Sequence, residues 1–403
     1  MALYIVRSKN DQSLGLSLGT RSIARPARES QIKQISDLRS NETPHREVAD
    51  AVLDYNGTPV FGGAAQTPVT GLQFVEMPEE DGERMRRERP DLLVLRDQPI
   101  GLIEPARPVA AIGADEKLTA KDRWHLTMVG LPMRRKKTAM TGEGVTVAVL
   151  DTGIDEDHRE IEGRISAAYQ FDIATRQTRQ LPKSIDTHGH GTHVAGLICG
   201  KSVGVAPGAR VMNGILIPNG QGTLANFVMA LEWAALQPEV QIVNISAGIR
   251  GWVDGMQSVL GDLLLVGVLP VVAIGNEGRN QTRSPGNYSQ VVSVGAIDRN
   301  RRVSAFSSGG TMVTSDRQQY AVPDVVAPGE GVFSCVMGGG YEAWNGTSMA
   351  TPIVSGLAAL LIERYPNLTV ADLQEELILS CDTLGLPSDR QGNGLVQARH
   401  QAR

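Results

Sequence analysis

The chain has 403 residues, a mass of 43.2 kDa and a formal net charge of −5, and 41% of its residues are hydrophobic. This length predicts two or three domains with at least one large core, which excludes a small scaffold held together by disulfides or metals. The mild acidity and the ordinary hydrophobic content exclude a disordered chain and give no reason to expect a nucleic-acid partner.

Targeting and redox signals are weak. No run approaches 18 consecutive apolar residues, and the N-terminal segment becomes charged at Arg7, before the apolar region of a signal peptide could form. The three cysteines, Cys199, Cys335 and Cys381, are widely spaced, which favours reduced thiols over a disulfide framework or a zinc site. We therefore expect a soluble, cytoplasmic protein without a membrane partner.

The first part of the chain predicts a small α+β domain. Strands are predicted at residues 3–6, 71–77 and 91–96, and helices at 46–53 and 79–89. A polar stretch up to residue 42 shows little periodicity, so no element is predicted there. Residues 104–115 form a Pro- and Ala-rich connector, in which Pro105 and Pro108 discourage regular structure. We place the boundary there, with one domain at residues 1–112 and a second at 113–403.

The second domain predicts an α/β fold with a mostly parallel sheet. Nearly continuous apolar runs, typical of strands buried on both faces, occur at residues 145–150, 210–217, 240–246, 269–274 and 291–294. Residues 224–235 carry apolar side chains at helical spacing, and residues 348–364 are apolar nearly all round, which predicts a central helix. Ligands of such sheets bind beyond the carboxyl ends of the strands, where we look for polar residues first.

Three polar segments stand at such places: residues 150–155 with Asp151, residues 186–196 with three histidines, and residues 345–352 with Ser348. Each has an alternative interpretation. An Asp-Thr-Gly after a strand also begins phosphotransferase and metal sites, clustered histidines occur at capped helix starts, and a serine before a helix serves as an N-cap. A metal role for the histidines is disfavoured because no second cluster has ligand spacing.

In chain order, Asp151, His190 and Ser348 supply a carboxylate, an imidazole and a hydroxyl. A serine hydroxyl is a poor nucleophile unless an imidazole takes its proton, and the imidazole needs an acceptor that fixes its tautomer. These motifs, with residues 275–278 between the second and third, resemble those of the subtilisin-like serine peptidases (subtilases), whose order is also Asp, His, Ser. Further matching segments at 204–207, 244–248, 323–329 and 392–396 extend the resemblance over roughly residues 124–398.

The resemblance implies a subtilisin-like three-layer fold and a role for each matching residue. Ser348 resembles the nucleophile, His190 the general base and Asp151 the carboxylate that orients His190, with His188 as the alternative base. The side-chain amide of Asn276, together with the backbone N–H of Ser348, resembles the oxyanion hole that stabilises the tetrahedral intermediate. The implied activity is that of a serine endopeptidase, which cuts proteins or peptides through an acyl-enzyme intermediate and needs no cofactor.

The family binds an extended peptide between two strand edges, mainly through backbone hydrogen bonds. The implied substrate-binding residues form the two strand edges, the walls and mouth of the S1 pocket, and the rim of the S4 pocket. They are Gly220, Gly222, Leu224, Ser246, Ala247, Gly248, Ala273, Gly275 and Glu277. The small walls suggest a roomy, apolar S1 pocket for the P1 residue, which precedes the bond that is cut. Its charges leave three alternatives: Glu277 favours a basic P1 residue, whereas Arg279 and Arg283 favour an acidic one or lie in a solvated loop.

Residues 71–96 resemble the second half of a subtilase propeptide. This implies an intramolecular inhibitor whose connector, residues 98–115, lies in the active site and is cut there by the enzyme itself. The alternative is an accessory domain that is never removed. Only residues 197–203 separate two motif segments between which many subtilases hold a calcium ion, so we expect no metal at that place.

Other functions fit the sequence less well. A non-catalytic peptide-binding protein on this fold would lack a triad residue, and none is missing. A phosphotransferase or metal hydrolase built on Asp151 and Asp155 would need a Gly-Lys phosphate loop or a second acidic cluster, and the sequence has neither. Among proteases, the sequence leaves open whether the enzyme degrades many proteins or matures one peptide or partner.

Overall fold

A computed structural model of the chain describes residues 1–9, 20–40, 44–62, 66–132, 139–172, 177–314 and 317–398. Within these ranges, no helix combines the length and the apolar character needed to cross a membrane.

The N-terminal part forms a four-stranded antiparallel sheet with helices. Its elements are β1 (Ala2–Ser8), α1 (Arg25–Ser40), α2 (Pro44–Asp54), β2 (Thr58–Gly62), β3 (Gln73–Met77), α3 (Glu79–Glu88) and β4 (Leu92–Arg96). The strand order is β2-β3-β1-β4, with β1 antiparallel to both β3 and β4. The strands and helices that the sequence predicts in this part are therefore present.

Helix α1 lies where the sequence pattern predicts no element. It buries Arg28, Gln31, Ile35 and Arg39, which follow helical spacing. Three of these four residues are polar, so no apolar periodicity marks the buried face. The helix instead packs through polar groups: the completely buried guanidinium of Arg28 donates to the backbone carbonyl oxygens of Ala235, Gln237, Val240 and Val266.

The rest of the chain contributes the following elements: β5 (Pro99–Leu102), β6 (Ala106–Ile112), α4 (Trp124–Met128), β7 (Thr146–Asp151), β8 (Ile165–Asp172), β9 (Gln177–Gln180), α5 (His190–Cys199), β10 (Arg210–Ile215), β11 (Gln221–Thr223), α6 (Leu224–Leu236), β12 (Val240–Ile245), β13 (Ala247–Arg250), α7 (Met256–Leu265), β14 (Leu269–Ala273), β15 (Arg283–Ser284), β16 (Val292–Ile297), β17 (Gly310–Val313), β18 (Gln319–Val322), β19 (Val325–Pro328), β20 (Glu330–Cys335), β21 (Tyr341–Asn345), α8 (Thr347–Arg364), α9 (Val370–Leu379) and α10 (Ser388–Gln391).

Eight of these strands form one sheet in the order β19-β16-β14-β12-β7-β10-β8-β9. All neighbouring pairs except β8 and β9 are parallel. Side chains alternate between two cores: Val147 and Val149 of β7 pack with α5 and α8, whereas Ala148 and Leu150 pack with α6 and α7. The predicted three-layer α/β fold is confirmed. Helix α8, buried from Thr347 to Ile362, is its predicted central helix.

Residues 99–112, which we call the strap, form two strands, and the second of them lies where the sequence predicts an irregular connector at residues 104–115. Strand β5 lies between β11 and β13 and is antiparallel to both, and β6 pairs antiparallel with β21 at the edge of a three-stranded sheet. The prolines are compatible with this pairing. Pro105 falls between the two strands, and Pro108 belongs to an edge strand, whose outer side needs no N–H donor.

Candidate active site

Three polar residues meet at one end of the main sheet. Asp151 is the last residue of β7, His190 the first of α5 and Ser348 the second of α8, and all three side chains are completely buried. Nδ1 of His190 lies 2.7 Å from Oδ1 of Asp151, which also accepts the backbone N–H of Thr152 at 2.8 Å. This contact places the imidazole proton on Nδ1 and leaves Nε2 as a base. Among the described residues, Nε2 has no hydrogen-bond partner.

Asp186, for which the sequence motifs predict no role, ties the loop after Asp151 to the start of α5. Its carboxylate accepts the hydroxyl of Thr152 at 2.8 Å. It also accepts the backbone N–H groups of His188, Gly189 and Thr192. The signal in the sequence is an aspartate just before a glycine-rich helix start, where an acidic side chain satisfies free N–H groups.

The other two histidines of the motif lie against other parts of the site. His193 contacts the carbonyl oxygen of Glu342 through Nε2 at 3.0 Å and stacks on Trp344, with ring centroids 4.2 Å apart. Nε2 of His188 lies 3.9 Å from the point where a Cβ on Gly220 would stand, so His188 lines the cleft. Only His190 therefore has the geometry of a base oriented by Asp151.

Asn276 stands across the cleft with a fixed side-chain amide. Its Oδ1 accepts both the backbone N–H and the hydroxyl of Thr347, at 2.9 and 3.0 Å. Because Oδ1 is held, Nδ2 faces the cleft, where it donates to the carbonyl oxygen of Glu104 at 3.0 Å. The N–H of Ser348 lies in the first turn of α8, where backbone N–H groups have no intrahelical acceptor. These two donors can stabilise an oxyanion formed beside Ser348.

The strap occupies the groove between the two predicted substrate edges. On one side, Gln221 pairs with Gly101 and Gly222 with Ile100. On the other side, the backbone pairs are Ala247 with Leu102 and Gly248 with Gly101, and the N–H of Ile103 donates to the carbonyl oxygen of Ser246 at 3.1 Å. Leu224 lies in the same apolar cluster as Ile100. The predicted edge residues thus surround an extended peptide, which is part of the same chain.

The strap is one residue out of register at the triad. The hydroxyl of Ser348 donates to the carbonyl oxygen of Ile103 at 3.0 Å, whereas Asn276 donates to the carbonyl oxygen of the next residue, Glu104. During attack, a single carbonyl group must present its carbon to the serine oxygen and its oxygen to the oxyanion donors. Here the carbonyl group of Ile103 contacts Ser348, and the carbonyl group of Glu104 contacts Asn276. The residue after Glu104 is Pro105.

The predicted S1 residues enclose an ion pair. Nε of Arg283 donates to Oε1 of Glu277 at 2.8 Å. Burial would raise the pKa of Glu277, but the Arg283 guanidinium outweighs burial, so this pKa is lowered. The Arg283 side chain is only 12% exposed, so the solvated-loop interpretation is wrong for this residue. Arg279 is 61% exposed and pairs with Asp389 on α10.

No metal site accompanies these residues in the ranges that the structure describes, because no three His, Cys, Asp or Glu side chains come close enough to hold an ion.

The sequence of the chain matches the model of the subtilase family over residues 142–394. It is 33% identical over 309 residues to alkaline elastase YaB of Bacillus sp. (strain YaB), covering 75% of each chain. It is 36% identical over 272 residues to an intracellular serine protease of Paenibacillus polymyxa, covering 63% of this chain and 79% of the relative. Subtilisin BL of Lederbergia lenta is 33% identical over 286 residues, covering 70% of this chain and 98% of that protein.

Among solved structures, fervidolysin from Fervidobacterium pennivorans, described as a keratinolytic enzyme related to subtilisin, superposes with a TM-score of 0.70 at 23% identity. The match covers 99% of this chain but 60% of fervidolysin, so this chain spans well under the full length of that protein. The superposition supports the fold.

Proposed function

This chain belongs to the subtilase family of serine endopeptidases, and on that premise we propose that Ser348, His190 and Asp151 are its catalytic triad. One observation carries the proposal: a peptide strand lies in the cleft with a carbonyl oxygen 3.0 Å from Ser348 Oγ, and Asp151 holds Nδ1 of His190 at 2.7 Å. The proposed reaction is hydrolysis of peptide bonds in proteins or peptides.

Each residue around the cleft has its own part in the proposed hydrolysis. His190 Nε2 takes the proton of the Ser348 hydroxyl as Oγ attacks the peptide carbonyl carbon. The negative charge moves to the carbonyl oxygen, where Asn276 Nδ2 and the Ser348 N–H stabilise it. His190 then gives its proton to the leaving amine, which breaks the C–N bond and leaves an acyl-enzyme. Water, deprotonated by His190, attacks the acyl carbon. The ester bond to Ser348 then breaks, the product leaves with a new carboxyl group, and His190 returns the proton to Oγ.

We further propose that the N-terminal domain, residues 1–112, is an intramolecular inhibitor and that the strap is its blocking segment. Its support is that β5 fills the groove between β11 and β13, so a second peptide cannot pair with the same edges. The division of roles between Ile103 and Glu104 makes the strap a poor substrate as it lies. Self-processing between residues 98 and 115 would require the strap to shift, so we expect it to be slow.

A cytoplasmic location has two supports. The chain is similar to an intracellular serine protease, and Cys199, Cys335 and Cys381, all within the described residues, form no disulfide. Fractionation of the producing cells checks this proposal, because recovery of the protein from the medium would contradict it.

The function is tested by incubating the full chain with denatured casein, beside the Ser348→Ala variant, and by following both proteins with mass spectrometry. We expect the wild-type chain to degrade casein and to be cut slowly between residues 98 and 115, while the variant stays whole and leaves casein intact. Equal degradation by the two proteins would refute the triad. Intact casein in both reactions would mean either a peptide-binding protein or a protease whose N-terminal domain still blocks the cleft.

A further inference from the structure

The S1 pocket of this enzyme can be located by its own strap. Ile103 donates its backbone N–H to Ser246, and its side chain is completely buried. Ser246 is followed by Ala247 and Gly248, the first wall that the family resemblance implies for the pocket, and the second implied wall is the segment 273–275 at the end of β14. Glu104, the next residue, points elsewhere: its Oε1 lies 3.6 Å from the point where a Cβ on Gly220 would stand. The strap therefore brings an aliphatic residue, Ile103, to Ser246 at the end of the first wall.

Arg283 closes the far end of the space between the two walls. Its backbone N–H donates to the carbonyl oxygen of Ile274 at 3.1 Å, and β15 pairs with β13. Its Cβ lies 3.3 Å from the point where a Cβ on Gly248 would stand, and its Cγ lies 3.3 Å from the corresponding point at Gly275. The stem of this side chain thus touches both walls and shortens the pocket.

The charges of this floor are already satisfied. Arg283 uses Nε and Nη2 for Oε1 of Glu277, at 2.8 and 2.5 Å, and Nη1 for the carbonyl oxygen of Gly248 at 3.2 Å. The other carboxylate oxygen of Glu277 accepts the N–H of Asn276 at 3.0 Å and the hydroxyl of Ser308 at 3.3 Å. Oε1 also lies 3.6 Å from Nε of the exposed Arg250.

We propose that Arg283 and Glu277 form a shallow, neutral floor that restricts the P1 residue of the substrate to short aliphatic side chains, such as Ala, Val, Ile and Leu. This inference rests on the proposed function. An acidic P1 residue would have to displace Glu277 from Arg283, and a basic one would have to displace Arg283 from Glu277, each leaving a half-buried charge unpaired. An aromatic ring would overlap the Arg283 stem.

The test uses the full chain and denatured casein, with every new C-terminus identified by tandem mass spectrometry. We expect cuts by the wild-type enzyme to follow Ala, Val, Ile or Leu, and cuts after Phe, Tyr, Lys, Arg, Asp or Glu to occur ~10-fold less often than their abundance in casein. The Arg283→Ser variant deepens the pocket and frees Glu277, so cuts after Lys and Arg should rise ~10-fold. The Glu277→Gln/Arg283→Ser variant should favour Phe and Tyr instead.

Two further variants separate pocket depth from charge. Arg283→Met keeps a long side chain but removes its charge, so the pocket should stay shallow and still exclude Lys and aromatic residues. Arg279→Ser is the matched control, because this arginine lies in the same loop but is exposed, and its profile should equal that of the wild type.

The outcomes distinguish the inference from the proposed function. If the wild-type chain still leaves casein intact once its strap has been cut, the proposed function fails and the inference fails with it. If the wild-type enzyme cuts casein mainly after aromatic or charged residues, or if Arg283→Ser keeps the wild-type profile, the inference is overturned while the endopeptidase activity stands.

Discussion

The side-chain amide of Asn276 has its direction fixed by one neighbour, Thr347, which donates twice to Oδ1. The cleft therefore presents Nδ2 before any substrate arrives, and no reorganisation is needed as charge develops on a carbonyl oxygen. The contact of Nδ2 with Glu104 in the strap shows that a peptide carbonyl can reach this donor.

Asn276→Leu removes that donor at similar volume. We expect kcat to fall about 10²- to 10³-fold, a range known for such a deletion in subtilisin itself, a member of this family, while KM changes little. Steady-state kinetics on a peptide with Ile at P1 measures both constants. An increase in KM with unchanged kcat would instead show that Asn276 only binds substrate.

For single residues, the sequence predicts catalytic roles better than it predicts ion pairs. Asp151, His190 and Ser348 stand in motifs whose order indicates their roles. The partners of Arg279 and Arg283 could not be predicted, because Asp389 lies far along the chain from Arg279, and whether Arg283 faces Glu277 depends on the turn between them. Asp186 was missed as a link between two motifs for a similar reason: Thr152 approaches it only after folding.

Among the elements, the strap shows how a one-residue shift in register can make a bound peptide a poor substrate. Strand β5 ends at Leu102 and β6 begins at Ala106, and both ends are fixed by pairing with other strands. Between the carbonyl group at Ser348 and the start of β6 stand Glu104 and Pro105. We infer that this length lets the carbonyl oxygen of Glu104, rather than that of Ile103, accept the hydrogen bond from Asn276.

Deletion of Pro105 should bring the strap into register. With one residue fewer between the fixed strands, the carbonyl group of Ile103 would move toward Asn276, and we expect self-cleavage between Ile103 and Glu104 while the wild-type chain stays mostly whole. Intact-mass spectrometry during refolding follows the cut. Pro105→Ala is the control: it keeps the length and should behave as the wild type, so rapid cutting of this variant would assign the protection to proline instead. Adding Ser348→Ala to the deletion should abolish the cut.

The strap and α1 are the elements that the sequence predicted wrongly or not at all. Pro105 and Pro108 discourage a regular strand locally, but the edges of β11, β13 and β21 supply partners that are distant in sequence. The buried face of α1 shows no apolar pattern because Arg28, Gln31 and Arg39 line it. Arg28 and Arg39 bind polar groups that are distant along the chain, and Gln31 binds the backbone of Ser22 just before the helix. Long apolar elements such as α8 and β7 were predictable because their own residues are apolar, which indicates burial.

Across the whole molecule, buried carboxylates join the N-terminal part to helices α6 and α7. Glu232 of α6 accepts the backbone N–H groups of Val69 and Thr70 at 2.9 and 2.8 Å. Asp262 of α7 pairs with both Arg7 and Arg39, and all these side chains are buried. Burial raises the pKa of Glu232 from its ordinary 4.5 to about 7, despite the two N–H donors.

This raised pKa predicts a pH-dependent stability. The folded state binds the Glu232 proton more tightly than the unfolded state, so the resulting stabilisation is complete below about pH 4.5 and is lost as the pH rises through about 7. The Tm of the wild type minus that of Glu232→Gln should therefore decrease between these pH values, as measured by calorimetry. A constant difference would contradict the prediction. Glu375→Gln, on the exposed side of α9, is the control and should show no such trend.

The buried Arg28 has a further consequence for what the proposed cut in the strap would do. A cut in the strap leaves the contacts of α1, Arg7, Arg39 and Glu232 untouched, so we expect the cut protein to elute from gel filtration as one particle containing both fragments. The new end of the strap then stays tethered beside the cleft, at an effective concentration that competes with substrate. Cleavage would thus convert a permanent block into a reversible equilibrium, and the fraction of open enzyme would be set by the supply of substrate rather than by loss of the inhibitor.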